Sequence, residues 1–103
     1  MDKLAMLTAI LKQNPTDSFA RYGLAMELVV QSRIPDALKE FDTCIANNPD
    51  YVPAYQMSAQ TMAANGQTAA AIARLHEGIA TANRTGNQHA LAEMEALREE
   101  LTA

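Results

Sequence analysis

The chain has 103 residues, a length that suits one small domain, and 49% of them are hydrophobic, enough for a sizeable core. Its net charge is −4 and its eight basic residues are scattered, which excludes a clustered phosphate-binding surface. We therefore expect neither nucleic acid nor an anionic membrane as a partner. The single cysteine excludes an internal disulfide and favours a cytoplasmic protein, and neither a signal peptide nor a membrane-spanning run is recognisable.

The first two predicted helices are separated by Asn14-Pro15, because proline pushes the preceding residue out of the α region. The second helix covers 17–31, with Thr16 or Asp17 as its N-cap. The first covers 2–13, and its apolar face is formed by four residues at helical spacing: Leu4, Leu7, Ile10 and Leu11.

The second predicted helix is apolar on two faces. One stripe consists of Leu24, Ala25 and Leu28. The other lies about 160° away, at ~100° per residue, and consists of Phe19, Tyr22, Met26 and Val29. A helix that is apolar on both sides usually packs on more than one side, so we expect the second stripe to be covered or to bind something.

A third helix follows the turn at 32–34, with Pro35 at its first position, and ends near Asn47 before Asn48-Pro49. Its inner face is predicted to include Phe41 and Cys44. Asp50 is predicted to cap a fourth helix over about 51–65.

Thr68 is predicted to cap a fifth helix over about 69–82, which a looser connection at 83–86 follows. Asn87 is the expected N-cap of a sixth helix over 88–101. The apolar residues of that helix form one narrow stripe and its other faces, including Glu93, are charged, as a terminal capping helix requires.

The pattern repeats at an interval of 34 residues, from Pro15 to Pro49, without an insertion. Small residues recur where two helices of a hairpin must approach closely, and large ones recur where the gap to the next hairpin must be filled. The matching positions are Leu24 with Ser58, Ala25 with Ala59, Leu28 with Met62, Ala37 with Ala71, Leu38 with Ile72, Phe41 with Leu75, Cys44 with Gly78, and Ile45 with Ile79.

With these positions the sequence resembles the tetratricopeptide repeat (TPR) family. The resemblance covers about residues 3–83 and implies an all-α, right-handed α-solenoid of antiparallel helix pairs, six helices in all. We divide this single domain, 1–103, into an N-terminal half repeat (2–14), two repeats (15–48 and 49–83) and a capping helix (87–102). Two departures are a missing leucine-glycine pair and Asn83 in place of the second closing proline.

The resemblance implies a non-catalytic protein–protein interaction module that binds a peptide or partner helix in a concave groove. Carried over to this chain, the groove is apolar with two amide side chains. The residues expected to bind the partner are Phe19, Tyr22, Met26, Val29, Val30, Gln56, Met57 and Gln60. Gly23, Pro53, Ala63 and Ala64 occupy the remaining concave positions. The alternative is a structural domain whose groove mediates its own homo-oligomerisation, with a homodimer as the simplest case.

Family members that grip a peptide's terminal carboxylate place Lys, Arg and Asn at concave positions, which the groove residues here do not supply. Tyr22 has two interpretations, a hydrogen bond to a ligand or stacking on Phe19, and Met26 and Met57 have two as well, ligand contact or interface packing. Met62 and Met94 are expected in the core, and Cys44 is expected as a small buried residue.

His76 and His89 are expected to be exposed, because a shared metal site would need further convergent ligands. Glycine-rich phosphate loops, paired acids and nucleophile–base pairs are missing from the sequence. We therefore expect no enzyme, no cofactor, no metal and no small-molecule substrate.

Overall fold

Six consecutive α-helices make up the computed structural model, which describes residues 2–103. All six predicted helices are present and no strand occurs within these residues, so the all-α prediction is confirmed. None of the helices among them is long and apolar enough to cross a membrane. The helices are α1 (Lys3–Gln13), α2 (Ser18–Val30), α3 (Ile34–Asn47), α4 (Val52–Ala64), α5 (Thr68–Thr85) and α6 (Gln88–Thr102).

Side chains cap three of the helices by accepting a hydrogen bond from the backbone N–H three residues further on. The distances are 2.7 Å for Asp2, 3.0 Å for Asp17 and 3.1 Å for Asn87. Asp17 rather than Thr16 is therefore the N-cap of α2. Since α3 begins at Ile34, proline takes its second position rather than its first, where a missing N–H is equally harmless.

Asp50 and Thr68 do not cap helices, and both predictions are wrong. The N-cap of α4 is Tyr51, whose side chain makes no capping bond. The Asp50 carboxylate instead accepts a 2.6 Å hydrogen bond from Nη2 of Arg84, 34 residues away, so a tertiary partner has replaced the local one. Thr68 is itself the first residue of α5 and follows Gln67.

The fifth helix continues through Thr85 rather than ending near residue 82, so the predicted loose connection is wrong. No proline follows the second unit, and nothing in Asn83 or Arg84 forbids another helical turn. The helix ends where Gly86 takes the left-handed conformation, with φ of 77°, which glycine adopts without a steric cost.

The core consists of three buried clusters along the stack, from α1 against α2 to α5 against α6, in a molecule of 43 × 29 × 19 Å. The partly buried Val29 and Ile45 link neighbouring clusters. Equivalent positions of the two units are buried alike. Ala37 and Ala71 are completely inaccessible, and so are Phe41 and Leu75, because each fills the contact between neighbouring helices. The remaining core predictions are confirmed for Cys44, Met62 and Met94, which are all buried.

Candidate functional site

The second face of α2, predicted as a binding surface, is partly open to solvent. Phe19 and Val30, near its two ends, are 78% and 74% exposed. Tyr22, Met26 and Val29 lie between them and are half-buried. The apolar stripe is therefore only partly covered within the described chain, and its middle residues pack against the core.

A cavity of about 460 Å³ lies between α1 and α2. From α2 and the residue before it, the cavity is lined by Asp17, Phe19, Ala20, Tyr22, Gly23 and Met26, and from α1 by Lys3, Met6, Leu7 and Ile10. We call this space the α1–α2 cavity. It brings together three of the predicted groove residues, Phe19, Tyr22 and Met26, and adds a wall that the sequence analysis did not assign to the site.

The wall formed by α1 holds exposed apolar side chains. Met6 is 47% and Ile10 40% exposed, although Ile10 was predicted to share one apolar face with Leu7 and Leu11, which are buried. With Phe19 they are three of the four large apolar side chains that residues 2–103 leave exposed, the fourth being Val30. Ile10 lies 34 residues before Cys44 and is therefore its equivalent in α1. Cys44 is covered by α2, the helix that precedes α3, and residues 2–103 contain no helix before α1. Extending the 34-residue comparison to α1 would therefore have marked this side of the helix as uncovered.

Tyr22 packs toward the interior of the stack rather than on Phe19. Its ring lies 6.0 Å from that of Phe41, in an edge-to-face arrangement, and 5.8 Å from that of Tyr51. Burial raises the pKa of the Tyr22 hydroxyl, and the neighbouring Tyr51 and Cys44 raise it further. Because the hydroxyl makes no hydrogen bond within residues 2–103, it remains available to a ligand.

The part of the predicted groove on α4 does not join the α1–α2 cavity. Nε2 of Gln56 donates a 2.9 Å hydrogen bond to Oε1 of Glu93 on α6, and the same oxygen lies 3.3 Å from Nε2 of His89. Glu93 is exposed, as predicted for a solvated face, and it also accepts this hydrogen bond from α4. Gln60 is exposed and is not part of the cavity lining.

Two other predicted groove residues have packing roles. Met57 packs against the buried cluster that contains Ala25, Phe41 and Ala54, which favours interface packing over ligand contact. Val29 lies against the core and also lines a smaller cavity of about 150 Å³ with Thr61 and other residues at the far end of α2.

The ionisable groups of the α1–α2 cavity sit at its two ends. Lys3 is the first residue of α1, and Asp17 immediately precedes α2. Because the chain reverses direction between these helices, the two charges lie at opposite ends and the walls between them are apolar. No group of three or more His, Cys, Asp and Glu side chains in residues 2–103 is arranged to hold a metal ion.

Comparison with known proteins identifies similar chains. A family model described as tetratricopeptide repeat matches residues 40–73. A tetratricopeptide repeat domain protein from Salinibacter ruber is 30% identical, with a TM-score of 0.80, over 85% of this chain and 89% of that one. No curated protein sequence matches the chain.

Two further structures resemble this one in fold at lower identity. The TPR2B domain of yeast Sti1, in a complex with pHsp70, has a TM-score of 0.89 at 21% identity, over 96% of this chain and 79% of that one. PcrH, in complex with the chaperone-binding region of PopD, has a TM-score of 0.89 at 15% identity, over 96% of this chain and 75% of that one. At these identities the likeness concerns the fold alone.

Proposed function

The chain belongs to the tetratricopeptide repeat family, and on that premise we propose that it is a non-catalytic protein-interaction module. Its ligand is an apolar peptide or a partner helix that binds in the α1–α2 cavity. The observation that carries the proposal is the cavity itself, because it collects Met6, Ile10 and Phe19, three exposed apolar side chains, around one concave space.

The size and lining of the cavity support an apolar ligand. Its volume of about 460 Å³ falls within the range of ~300–1,000 Å³ that is usual for binding pockets. Three exposed apolar side chains gathered around one concave space favour an interaction site over scattered surface exposure. Polar groups are few and lie at the ends, where they can set the direction of a bound segment, and Tyr22 adds one hydroxyl within the wall.

The fold neighbours support the choice of ligand class. Sti1 was captured in a complex with pHsp70 and PcrH with the chaperone-binding region of PopD, and we take the ligand class of this chain from these complexes. Tyr22, Gly23 and Met26 stand here where carboxylate-gripping members of the family place basic and amide side chains. We therefore propose that this chain recognises apolar side chains within a segment rather than a terminal carboxylate.

The proposal includes the division of the domain. Residues 2–14 act as a half repeat, 15–48 and 49–83 as repeats, and 87–102 as a cap. It also includes a cytoplasmic location, which rests only on composition, namely the single cysteine.

Selection from a displayed library of random peptides tests the function. The purified chain should enrich peptides with two or more large apolar residues at helical spacing. Met26→Glu should weaken the binding of the enriched peptides at least ~10-fold, because it buries a carboxylate against the ligand. Ala46→Glu introduces the same charge on the exposed side of α3 and should leave binding unchanged. Equal binding by both variants would refute the assignment of the cavity.

A further inference from the structure

One side of α1 is uncovered, while the equivalent side of α3 is not. At the 34-residue interval, three positions correspond: Lys3 to Ala37, Leu7 to Phe41, and Ile10 to Cys44. The three residues of α3 are completely buried, since α2 packs against them as the first helix of the hairpin. In α1 the first and last of the three remain exposed. Within residues 2–103, therefore, no helix other than α2 packs against α1, and α2 buries only Leu7 of these three positions.

The side chains at these positions do not suit the close hairpin contact of the later units. α3 has Ala37 and Cys44 there, and α5 has alanine and glycine, all small enough for two helix backbones to approach. Lys3 and Ile10 are larger and would hold an incoming helix further away. An occupant must accept this wider spacing, and an acidic group on it would pair with Lys3, which forms no ion pair within the described chain.

Charge at the two ends of the α1–α2 cavity specifies an antiparallel occupant with the same charges. Lys3 lies at one end and Asp17 at the other, and neither takes part in an ion pair within residues 2–103. A helix that packs antiparallel to α1, with a cation near its N-terminus and an anion just after its C-terminus, would place an opposite charge beside both Lys3 and Asp17. The chain contains that helix, namely α1 followed by Asp17.

We propose that the α1–α2 cavity is occupied by a second copy of this chain, with the two α1 helices packed antiparallel about a twofold axis. Lys3 of each copy then faces Asp17 of the other, and Met6 and Ile10 of both copies pack together beneath the Phe19 rings. The inference rests on the proposed function, because it names the occupant of the proposed binding cavity.

Twofold symmetry makes the contact self-complementary, since every contact made by one copy is returned by the other. The same arrangement covers three of the four exposed large apolar side chains of each copy at once. α1 has 11 residues and is therefore ~16 Å long, which gives an interface at the lower end of specific sizes. We expect reversible dimerisation with a dissociation constant on the order of micromolar.

Sedimentation velocity across a dilution series, from millimolar to submicromolar protein, provides the test. Wild type should shift from dimer to monomer, and Lys3→Glu should raise the dissociation constant at least ~10-fold, since it faces Asp17 with a like charge at two symmetric places. Lys12→Glu makes the same charge change on an exposed part of α1 outside the cavity and should leave the dimer unchanged.

A charge exchange distinguishes the antiparallel pairing from a general electrostatic effect. Asp17→Lys alone should weaken the dimer, whereas a mixture of the Lys3→Glu and Asp17→Lys proteins should restore a heterodimer with both ion pairs. Asp17 caps α2, so circular dichroism must show the helical content of each variant intact. If Asp17→Lys loses its fold, the single variants Ile10→Asp and Lys3→Glu serve as the test instead, and both are expected to be monomeric.

The outcomes separate this inference from the proposed function. A monomer at every concentration, or equal weakening by Lys3→Glu and Lys12→Glu, would overturn the inference. If such a monomer still binds selected peptides in a manner sensitive to Met26→Glu, the interaction function stands and its occupant is another protein. A dimer that responds as predicted, with no peptide enriched, would support the inference and remove the foreign ligand from the proposed function.

Discussion

Arg74 on α5 and Asp42 on α3 form an ion pair across the boundary between the two repeats, with 2.6 Å between Nη2 and Oδ1. Nη1 of the same guanidinium donates a 2.9 Å hydrogen bond to Oγ of Ser58, which is completely buried on α4. That hydroxyl donates in turn to the carbonyl oxygen of Tyr55. One arginine thus connects three helices, and it explains how a polar residue is accommodated where the first unit has Leu24.

Replacing Arg74 should cost more stability than replacing its acidic partner. Arg74→Ala removes a hydrogen bond to a buried hydroxyl and should lower the free energy of unfolding by about 1–2 kcal/mol. Asp42 is 59% exposed at its side chain, so Asp42→Ala should cost less than ~1 kcal/mol after solvent screening. Urea denaturation of the two variants measures the difference. Equal losses would contradict the role assigned to Ser58.

Gly78 should not tolerate a methyl group, although alanine favours a helix. A Cβ at Gly78 would lie 2.7 Å from Sδ of Met94 and 2.8 Å from Cβ of Tyr55, and the second atom is too close to the backbone to move aside. Gly78→Ala should therefore destabilise the chain by about 1–3 kcal/mol and speed amide hydrogen exchange in α6.

The matched control is the same substitution in another helix. A Cβ at Gly23 would meet Leu7 at an ordinary 3.4 Å, so Gly23→Ala should stabilise by about 0.5–1 kcal/mol through helix propensity. If both substitutions shift the unfolding midpoint in the same direction, the tight packing of α6 at Gly78 is not what determines the outcome.

The Asp50 carboxyl should titrate at a lower pH than an ordinary aspartate. Its hydrogen bond from Arg84, together with the charge of that guanidinium, lowers the pKa of Asp50. Because the folded-state pKa is depressed, the pair stabilises the fold above about pH 4, where the unfolded carboxylate is ionised, and this contribution is lost as the pH falls through the folded value.

An NMR titration of the Asp50 side-chain carboxyl measures this pKa directly. Arg84→Ala should return it toward the usual range. Arg33→Ala should leave it unchanged, because Arg33 pairs with Asp36 instead. An Asp50 titration that is insensitive to both variants would mean that the Asp50–Arg84 pair does not persist in solution.

Cys44 should react slowly with thiol reagents while the chain is folded. It is completely inaccessible, and burial raises the pKa of its thiol despite the opposing charge of Arg21. Modification by a chromogenic disulfide at pH 8 should be limited by opening of the fold and should accelerate by several orders of magnitude in urea. A Cys44→Ala, Ala73→Cys variant, with its thiol on an exposed position, should react at once. Comparable rates for the two thiols would contradict the burial.

The candidate site was only partly predictable from the sequence. The apolar face of α2 followed from residue spacing, and Phe19, Tyr22 and Met26 do meet in one cavity. The opposite wall, with Met6 and Ile10, was missed because the residues of α1 were sorted by helical spacing alone. Spacing identifies which side of a helix is apolar, but not which neighbouring helix covers it.

The predicted groove residues on α4 show the same limit of reasoning from helical spacing. Gln56 and Met57 were assigned to the groove from their repeat position, yet one is bound by Glu93 and the other packs against the core. Both interactions depend on how α4 is placed against α6 and α2. No local pattern at either residue reports that placement, and Glu93, the partner of Gln56, lies 37 positions away in the chain.

By itself the sequence determined the helices, the helix ends before Pro15 and Pro49, and the 34-residue period, because these depend on interactions within about one helical turn. It also determined which positions had to be small, since Ala37 and Ala71 recur at that period. Only the tertiary structure decided the partners of Asp50 and Ser58 and the exposure of α1. A charged or polar group takes the nearest suitable partner in space, and which group is nearest is settled when the helices dock.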